Sequence, residues 1–354
     1  MKGGLLKLQR GIKLIEILRI PSFRVLLWDE NYLYGSRGYT VYRINSDEIE
    51  NKNINLERVG FFRSDLIRKL SSKSRLLSRL FRAGFHCIRK IHEKIIGIVA
   101  KNIVLLEPDE KEFRSVFKID RGTRPLGIAV TSDGKIFFGE YFNNPNREEV
   151  HIYYSEDGYK WEIVYTFPKK TIRHIHNVLH DPYEDCLWIL TGDYGKEAKI
   201  IKASIDFKNV DIILEGTQQA RAVSMIFRKD KIFYATDTEI EQNYIYSIDR
   251  KTYNKEKLFP IPGPSLWSCE VGDSIFFSTH HEPGKFSNIY AYLIGSKNEK
   301  EWEELLQWEK DSLNPKLFQY PAIILPYGKS ERHLAATGRA ARYYDDYSIC
   351  WKVE

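Results

Sequence analysis

Three arginines are placed where they could bind an anionic ligand. Arg124, Arg221 and Arg339 each stand beside a short apolar run, in RPLGIAV, ARAVSMIF and TGRA. A guanidinium is charged at neutral pH and can bind a carboxylate through two parallel hydrogen bonds. Trp267 and Tyr194 also border apolar runs and could stack on the face of a sugar ring. These residue types predict a binding site for an acidic carbohydrate if the fold brings them together.

Three carboxylates occupy similar positions and could take part in catalysis. Glu140, Asp193 and Asp237 lie in GEYF, TGDY and ATDTE. Carboxylates from neighbouring segments could flank a glycosidic bond as acid and base, or as acid and nucleophile. Alternatively, a histidine acts as general base with a tyrosine as the acid. The candidate catalytic residues are Glu140, His174, Asp193, Tyr194 and Asp237, with Tyr141 as a second candidate acid.

The histidines suggest a different chemistry. His174 and His176 alternate along the sequence, so both point to one side of a strand, and His280 and His281 stand at the end of another apolar run. Imidazoles from several strands, together with a carboxylate, could hold a divalent metal ion. Such an ion would acidify the α-proton of a uronic acid, which resembles the chemistry of metal-dependent propeller lyases. A structural role for the histidines is the alternative, and no cofactor is certain.

These residues need a scaffold, and residues 124–167 indicate which one. This stretch contains four apolar runs, LGIAV, KIFFGEYF, VHIYYS and WEIVYTF, separated by an SDG turn, a polar loop and a DG turn. The pattern predicts a four-stranded antiparallel meander. One such sheet cannot cover both of its faces, so similar sheets must pack beside it.

The four-run unit recurs along the chain with a period of roughly 40 to 50 residues, as in β-propellers. Seven units nearly fill the sequence, and six blades remain an alternative. The seventh unit lacks one strand, whereas the run GIKLIEILRI at 11–20 precedes the first unit. We therefore predict an all-β, seven-bladed propeller, a single domain over 1–354, with the N-terminal strand completing the last blade.

In a propeller the start of each innermost strand and the end of the second strand open onto one face around the central channel. The strand starts are His86, Arg124, His174, His176, Arg221 and Trp267. The second-strand ends are Glu140, Asp193, Tyr194, Asp237, His280, His281, Glu282 and Arg339. Two structural interpretations compete with a ligand site: Asp193 and Asp237 could be turn residues, and the arginines could form salt bridges between blades.

Ser155-Glu156-Asp157-Gly158-Tyr159-Lys160-Trp161 resembles the Asp-box, or BNR repeat, of sialidase-like β-propellers, shortened by one residue. Ser155 and Asp157 can bond the backbone of the turn, and Trp161 can anchor the hairpin. The resemblance implies a propeller fold, in which these boxes are structural and lie away from the active site. Arg19-Ile20-Pro21 is similar to the Phe/Tyr-Arg-Ile-Pro motif of sialidases, whose arginine helps to bind the substrate carboxylate. Leu18 stands here in place of the aromatic residue.

The segment 64–82, SDLIRKLSSKSRLLSRLFR, departs from the β pattern and is called the basic insertion below. Ser64 and Asp65 suit a helix start, and an apolar stripe follows at Leu66, Leu70, Leu77 and Phe81. The remaining positions are strongly basic. We expect a helical insertion between blades 1 and 2 that packs its stripe onto the propeller. The alternative is a peripheral contact with an anionic membrane or a protein partner.

Composition limits the other options. The 354 residues are 43% hydrophobic and 14% aromatic, with a net charge of +6, too small a charge for this length to indicate a nucleic-acid binder. The four cysteines form no C-x-x-C pair and are expected to be buried strand residues. Met1 to Ser22 has no uninterrupted apolar core of a signal peptide, and no apolar run approaches 18 residues, which suggests a cytoplasmic protein.

Together these observations favour a carbohydrate-active propeller that binds an acidic glycan or glycoconjugate and cleaves it by hydrolysis or β-elimination. The alternative is a non-catalytic binding or scaffold module. A catalytic site predicts arginine, carboxylate and histidine side chains within mutual reach. A scaffold predicts paired charges, with an apolar or basic patch elsewhere on the surface.

Overall fold

The computed structural model describes residues 11–52, 54–122, 124–281 and 289–354. In these residues seven antiparallel units of four strands follow one another along the chain, and the outer strands of the first two units pair, so that these two units share one eight-stranded sheet. The innermost strands of neighbouring blades pack side by side around a central channel. The prediction of a seven-bladed propeller is therefore confirmed.

The first four blades follow one another along the sequence. Strand β1 (Leu14–Pro21) precedes them. Blade 1 contains β2 (Arg24–Asp29), β3 (Tyr32–Arg37), β4 (Thr40–Asn45), a short helix α1 (Ser46–Glu50) and β5 (Glu57–Phe62). After helices α2 (Leu66–Ser71) and α3 (Arg75–Phe81), blade 2 contains β6 (Phe85–Ile91), β7 (Lys94–Val99), β8 (Asn102–Leu106) and β9 (Glu112–Lys118). Blade 3 contains β10 (Ala129–Val130), β11 (Ile136–Gly139), β12 (Val150–Ser155) and β13 (Glu162–Phe167), and blade 4 contains β14 (Ile175–Asp181), β15 (Cys186–Thr191), β16 (Lys199–Ser204) and β17 (Val210–Glu215).

The remaining blades complete the ring. Blade 5 contains β18 (Ala222–Phe227), β19 (Lys231–Thr236), β20 (Asn243–Asp249) and β21 (Lys255–Ile261). Blade 6 contains β22 (Ser265–Val271), β23 (Ser274–Thr279), β24 (Tyr290–Ser296) and β25 (Trp302–Glu309). Helix α4 (Pro315–Phe318) leads to blade 7, which contains β26 (Ala322–Ile324), β28 (His333–Arg339) and β29 (Tyr347–Val353), while the short β27 (Lys329–Ser330) pairs with β22.

The N-terminal strand completes blade 7, as predicted. Strand β1 pairs antiparallel with β29, from Leu14 opposite Val353 to Pro21 opposite Tyr347. Ile20 of β1 is fully buried in the core between blades 7 and 1. The first and last parts of the chain thus share one sheet, which closes the ring.

Burial explains why the blades need one another. Each of the seven buried apolar clusters in the described chain lies between two consecutive blades. A sheet with apolar residues on both faces is stable only when both faces are covered. The four cysteines are buried and free, as expected.

The turn at 155–161 has the predicted local geometry. Ser155 Oγ accepts from the Gly158 amide at 2.9 Å, and Asp157 Oδ1 accepts from the amides of Tyr159 and Lys160 at 2.7 and 2.9 Å. Trp161 Nε1 donates to the Gly158 carbonyl at 3.1 Å. This turn joins β12 and β13, the third and fourth strands of blade 3. The resemblance to the Asp-box rests on this turn.

The basic insertion differs from its prediction in two respects. It forms two short helices because Ser74 begins a second helix by accepting from the Leu77 amide at 3.4 Å, after α2 has ended. Its apolar side chains do not pack onto the propeller: Leu66 is 70% exposed and Phe81 is 59% exposed. Asp65 caps α2 as expected, accepting from the Arg68 amide at 2.8 Å.

No helix in the described residues is long and apolar enough to cross a membrane.

Candidate functional site

His174, His176 and Asp193 form a compact buried group on the channel face. Both imidazoles point to one side of blade 4, as their alternation predicted. Nε2 of His174 lies 3.3 Å and Nε2 of His176 lies 3.2 Å from Oδ1 of Asp193. One ligand atom from each of the three residues lies within 4.8 Å of the others. The set of two histidines and one carboxylate matches a common metal-binding arrangement.

The hydrogen bonds of the two Nδ1 atoms show that this group needs a positive charge. Nδ1 of His174 donates to the Phe142 carbonyl at 3.1 Å, and Nδ1 of His176 donates to the Ala222 carbonyl at 3.0 Å. A neutral imidazole has only one N–H, so both Nε2 lone pairs then face a carboxylate oxygen. Burial lowers the pKa of His176 and favours this neutral form. The group therefore needs a cation at its centre, either a proton on each Nε2 or one metal ion.

Gly192 positions Asp193. Its φ is +92°, and a Cβ at this position would lie 1.9 Å from the Glu197 carbonyl oxygen. Only glycine tolerates both constraints. The Asp193 carbonyl also accepts from Gln218 Nε2 at 2.8 Å, which ties the strand end to the next blade. The TGDY sequence thus directs a carboxylate toward His174 and His176.

Beside this group, Arg221 forms salt bridges between strand ends. Its guanidinium lies 2.5 Å from Glu239, 3.6 Å from Asp237 and 3.7 Å from Asp193. Tyr194 donates its hydroxyl to Glu239, and this hydrogen bond raises its pKa to about 12. A guanidinium thus separates Asp193 from Asp237, two of the predicted catalytic carboxylates. For Arg221 the salt-bridge interpretation is the one that the geometry favours.

Glu140 is fully engaged in hydrogen bonds. Arg121 donates to both of its carboxylate oxygens, and the His151 amide donates to Oε2 at 2.8 Å. The side chain is 5% exposed. This arrangement suits a structural carboxylate between blades 2 and 3 better than a catalytic acid.

A cluster of positive charge lies on the other side of the channel and is called the arginine cluster below. Its members are Arg24, Arg82, His86, Arg124 and Arg339. Among the described residues, no carboxylate lies within ion-pair distance of any of its four guanidiniums. Arg124 Nη1 donates to Nδ1 of His86 at 3.2 Å, which requires a neutral ring.

Electrostatics within the arginine cluster is unfavourable without a ligand. Burial, followed by repulsion from Arg124, lowers the pKa of Arg24 to about 10. Burial and the charges of Arg82 and Arg339 lower the pKa of Arg124 to about 9. Burial lowers the pKa of Arg339 and of His86, and the charges of Arg24 and Arg82 lower both further. Arg82 is exposed and the other four members are partly buried, and like charges held together in such a group call for a counter-anion.

Two cavities meet at this cluster. The channel cavity, of about 450 Å³, is lined by His86, Arg124 and Trp267 among others. The entrance cavity, of about 940 Å³, lies between the basic insertion and the edges of blades 1 and 7. Arg24 and Arg339 line both cavities. A ligand entering from the insertion side would meet the arginine cluster before reaching the channel.

His280 and His281 do not join His174 and His176. The His280 ring packs edge-on against Trp267 at 6.3 Å, and the His281 ring lies 5.1 Å from that of Tyr320. Burial, with the charge of Arg221, lowers the pKa of His280 to about 4. The four histidines predicted as metal ligands therefore lie in two separate pairs, and Asp193 lies beside His174 and His176. Glu282, another predicted strand-end residue, lies outside the described residues.

The sequence analysis missed five site residues, one of which is Arg82, assigned there only to the basic insertion. Arg24 begins β2 and would have been found by applying the strand-start rule to blade 1. Arg121, Arg173 and Glu239 lie in loops, and the sequence alone offered no signal for their partners. Arg173, for example, lies in the loop before β14 and donates to Asp193 Oδ2 at 2.8 Å.

No protein-family model matches this sequence, and no curated protein matches it either. Solved structures do resemble it. A chain of the Mitotic Checkpoint Complex superposes with a TM-score of 0.59 at 8% identity, over 99% of both chains. The GH74 enzyme of Niastella koreensis superposes with a TM-score of 0.53 at 12% identity, over 82% of this chain and 46% of that chain. At such identities the similarity shows the propeller fold alone.

Proposed function

We propose that this propeller binds a small acidic carbohydrate at the arginine cluster. The observation that carries the proposal is the absence of any carboxylate partner, among the described residues, for the guanidiniums of Arg24, Arg124 and Arg339. A uronate or sulfate group would supply the missing negative charge through charge-assisted hydrogen bonds. The channel cavity of about 450 Å³ falls in the size range of small-ligand sites, and Trp267 offers an aromatic face to a sugar ring.

Binding of acidic oligosaccharides tests this proposal. We would titrate oligogalacturonate, sialyl-oligosaccharides and a neutral oligosaccharide of equal length by calorimetry. We expect the acidic ligands to bind, the neutral one not to bind, and Arg124→Ala with Arg339→Ala to lose affinity about a hundredfold. Arg332→Ala is the matched control, because this exposed arginine pairs with Asp47 and Glu50 away from the channel.

Two results would contradict the proposal. Equal affinity for the neutral oligosaccharide would show that charge does not direct binding. Full affinity in the double variant would place the ligand elsewhere. If inorganic sulfate binds but no acidic sugar does, the arginine cluster is an anion site and the assignment of a carbohydrate ligand is wrong.

A cleavage reaction is the second candidate, and β-elimination suits the site better than hydrolysis. Hydrolysis needs a free carboxylate pair, whereas Glu140 is held by Arg121 and Arg221 lies between Asp193 and Asp237. β-Elimination needs a base for the proton beside the sugar carboxylate and an acid for the leaving oxygen. His174 Nε2 lies 3.3 Å from Asp193 Oδ1, and the Tyr141 ring lies 4.4 Å from the His174 ring.

In this reaction His174 would take the α-proton and Tyr141 would protonate the leaving oxygen. A divalent ion held by His174, His176 and Asp193 is the alternative: it would supply Lewis acidity to the sugar carboxylate, and His174 would then be a ligand and not the base. Turnover is tested by the ultraviolet absorbance of an unsaturated product from oligogalacturonate. We expect His174→Ala to abolish it, while ligand affinity at the arginine cluster persists. Absence of product with intact binding would assign the protein to the non-catalytic alternative.

A further inference from the structure

The helices of the basic insertion expose their large apolar side chains and bury polar ones, which is the reverse of the usual pattern for a surface helix. The two buried side chains of the insertion are Ser71 and Arg79, at 3% and 5% exposure. The large apolar side chains of both helices face outward, with exposed fractions between 39% and 75%. They are Leu66, Ile67, Leu70, Leu76, Leu77, Leu80 and Phe81. Of the four arginines of the insertion, Arg79 is buried, while all of its leucines are exposed, so its outer surface is suited to an apolar environment.

Arg79 fixes this orientation. Its guanidinium is paired with Asp311 and Asp345, and it also donates to the Phe318 carbonyl. Arg75 adds a second ion pair to Asp345 at 2.8 Å. Because these partners belong to the connection before blade 7 and to blade 7 itself, the insertion is anchored across the entrance cavity. The buried ion pairs of Arg79 thus hold the insertion in the orientation that exposes its apolar side chains.

The apolar surface continues onto α4. Helix α3 packs against α4, where Leu317 is 56% exposed. The side chains of this surface are aliphatic or phenyl and carry no hydrogen-bonding group. Such a surface matches acyl chains, which offer no polar partner, better than it matches a protein interface with a polar rim.

The entrance cavity beneath the insertion is strongly basic. Ten arginine or lysine residues line it, against two acidic residues: Arg24, Arg37, Arg58, Arg63, Lys69, Lys73, Arg75, Arg79, Arg82 and Arg339 against Asp345 and Asp346. Asp345 is already paired with Arg75 and Arg79. Of the lining residues, Arg58, Arg63, Lys69 and Lys73 are exposed at its mouth. Phosphate groups suit this concentration of cations.

We propose that the basic insertion docks this protein on an anionic membrane. The outward leucines, Ile67 and Phe81 enter the interface between headgroups and acyl chains. A phosphorylated headgroup occupies the mouth of the entrance cavity, near Lys69 and Lys73. Apolar insertion and headgroup binding act together because the same short segment carries both surfaces. This proposal does not depend on the carbohydrate site, since neither the outward side chains nor these lysines line the channel cavity.

Vesicle sedimentation tests the docking directly. The full chain would be mixed with vesicles of phosphatidylcholine alone, of phosphatidylcholine with phosphatidylserine, and of phosphatidylcholine with a phosphatidylinositol bisphosphate. We expect binding to both anionic compositions, about tenfold weaker binding to phosphatidylcholine alone, and loss of binding at high salt. Failure to bind any vesicle overturns the proposal and leaves an acidic protein as the partner.

Paired variants separate the two surfaces. Ile67→Glu with Phe81→Glu changes the exposed apolar residues, and its control is Ile212→Glu, at a residue 51% exposed on β17 of blade 4. Lys69→Glu with Lys73→Glu reverses the basic mouth, and its control is Lys208→Glu with Lys229→Glu at exposed positions of blades 4 and 5. We expect each insertion variant to lose at least about tenfold in vesicle affinity and each control to bind as wild type.

All four altered positions of the insertion are exposed, so the two insertion variants should keep the wild-type circular dichroism and melting temperature. Equal losses in the controls and the insertion variants would show that net charge or general surface polarity governs binding. Full binding by both insertion variants would place the membrane contact elsewhere. Either result would overturn the proposal.

Discussion

At the level of single residues, His86 is the group most sensitive to ligand charge. Its pKa lies well below the ordinary value because of burial and the surrounding charges of Arg124, Arg24, Arg339 and Arg82. These arginines stay protonated at neutral and acidic pH, so only the imidazole titrates there. A bound anion would offset their repulsion and raise the pKa of His86.

This linkage predicts tighter anion binding at low pH. The pKa is higher in the complex than in the free protein, so the complex takes up a proton and affinity increases as pH falls. We expect affinity for inorganic sulfate, which stays ionised, to increase about tenfold between roughly pH 7 and pH 5. Calorimetry in buffers of different ionisation enthalpy measures both the affinity and the proton uptake. His86→Gln should remove the pH dependence; an unchanged profile in this variant would assign the titration to another group.

The group of His174, His176 and Asp193 gives a second prediction at this scale. Both Nε2 atoms face Asp193 while both Nδ1 atoms bond backbone carbonyls, so the ring orientation is already that of metal ligands. We expect the purified protein to hold about one equivalent of a divalent metal by mass spectrometry. His176→Ala should lose it, whereas His180→Ala, at a buried histidine paired with Asp185 outside this group, should retain it. A metal-free wild type after dialysis against zinc and manganese would show that protons hold the group together.

At the level of secondary-structure elements, the loop after β15 decides whether Asp193 reaches His174 and His176. Gly192→Ala would bring a methyl group against the Glu197 carbonyl at a positive φ. We expect a loss of about 3 kcal/mol in the free energy of unfolding, measured in urea. Gly195→Ala in the same loop is the matched control, since its φ is +54° but nothing lies within 4 Å of its Cβ position. Left-handed alanine alone costs about 1 kcal/mol, and similar losses in both variants would discount the steric argument.

At the level of the whole molecule, ring closure depends on β1. Ile20 is fully buried between blades 7 and 1, whereas Ile15 in the same strand is 37% exposed. We expect Ile20→Ala to lower the free energy of unfolding by about 3 kcal/mol and Ile15→Ala by about 0.5 kcal/mol or less. Urea denaturation followed by tryptophan fluorescence measures both. Equal and small losses would mean that the ring is stable without its N-terminal strand.

The architecture could be predicted from the sequence because strands, turns and their period are local properties. Four apolar runs between Gly and Asp turns define one blade, and repetition of the unit defines the ring. The missing strand at the C-terminus even indicated how the ring closes. Local capping also predicted that a helix begins at Asp65.

Only the tertiary structure decided which charges are paired. Arg221 and Arg124 occupy equivalent strand starts, yet Arg221 meets three carboxylates from nearby strand ends and loops, whereas Arg124 meets His86 and other arginines. The orientation of the basic insertion likewise depends on distant partners, because Arg79 binds Asp311 and Asp345, more than 200 residues away in the chain. The sequence by itself determined the blades and the strand ends that carry the candidate residues. Pairing and burial depend on residues that are remote in the chain, so no local pattern encodes them and only the folded ring settles them.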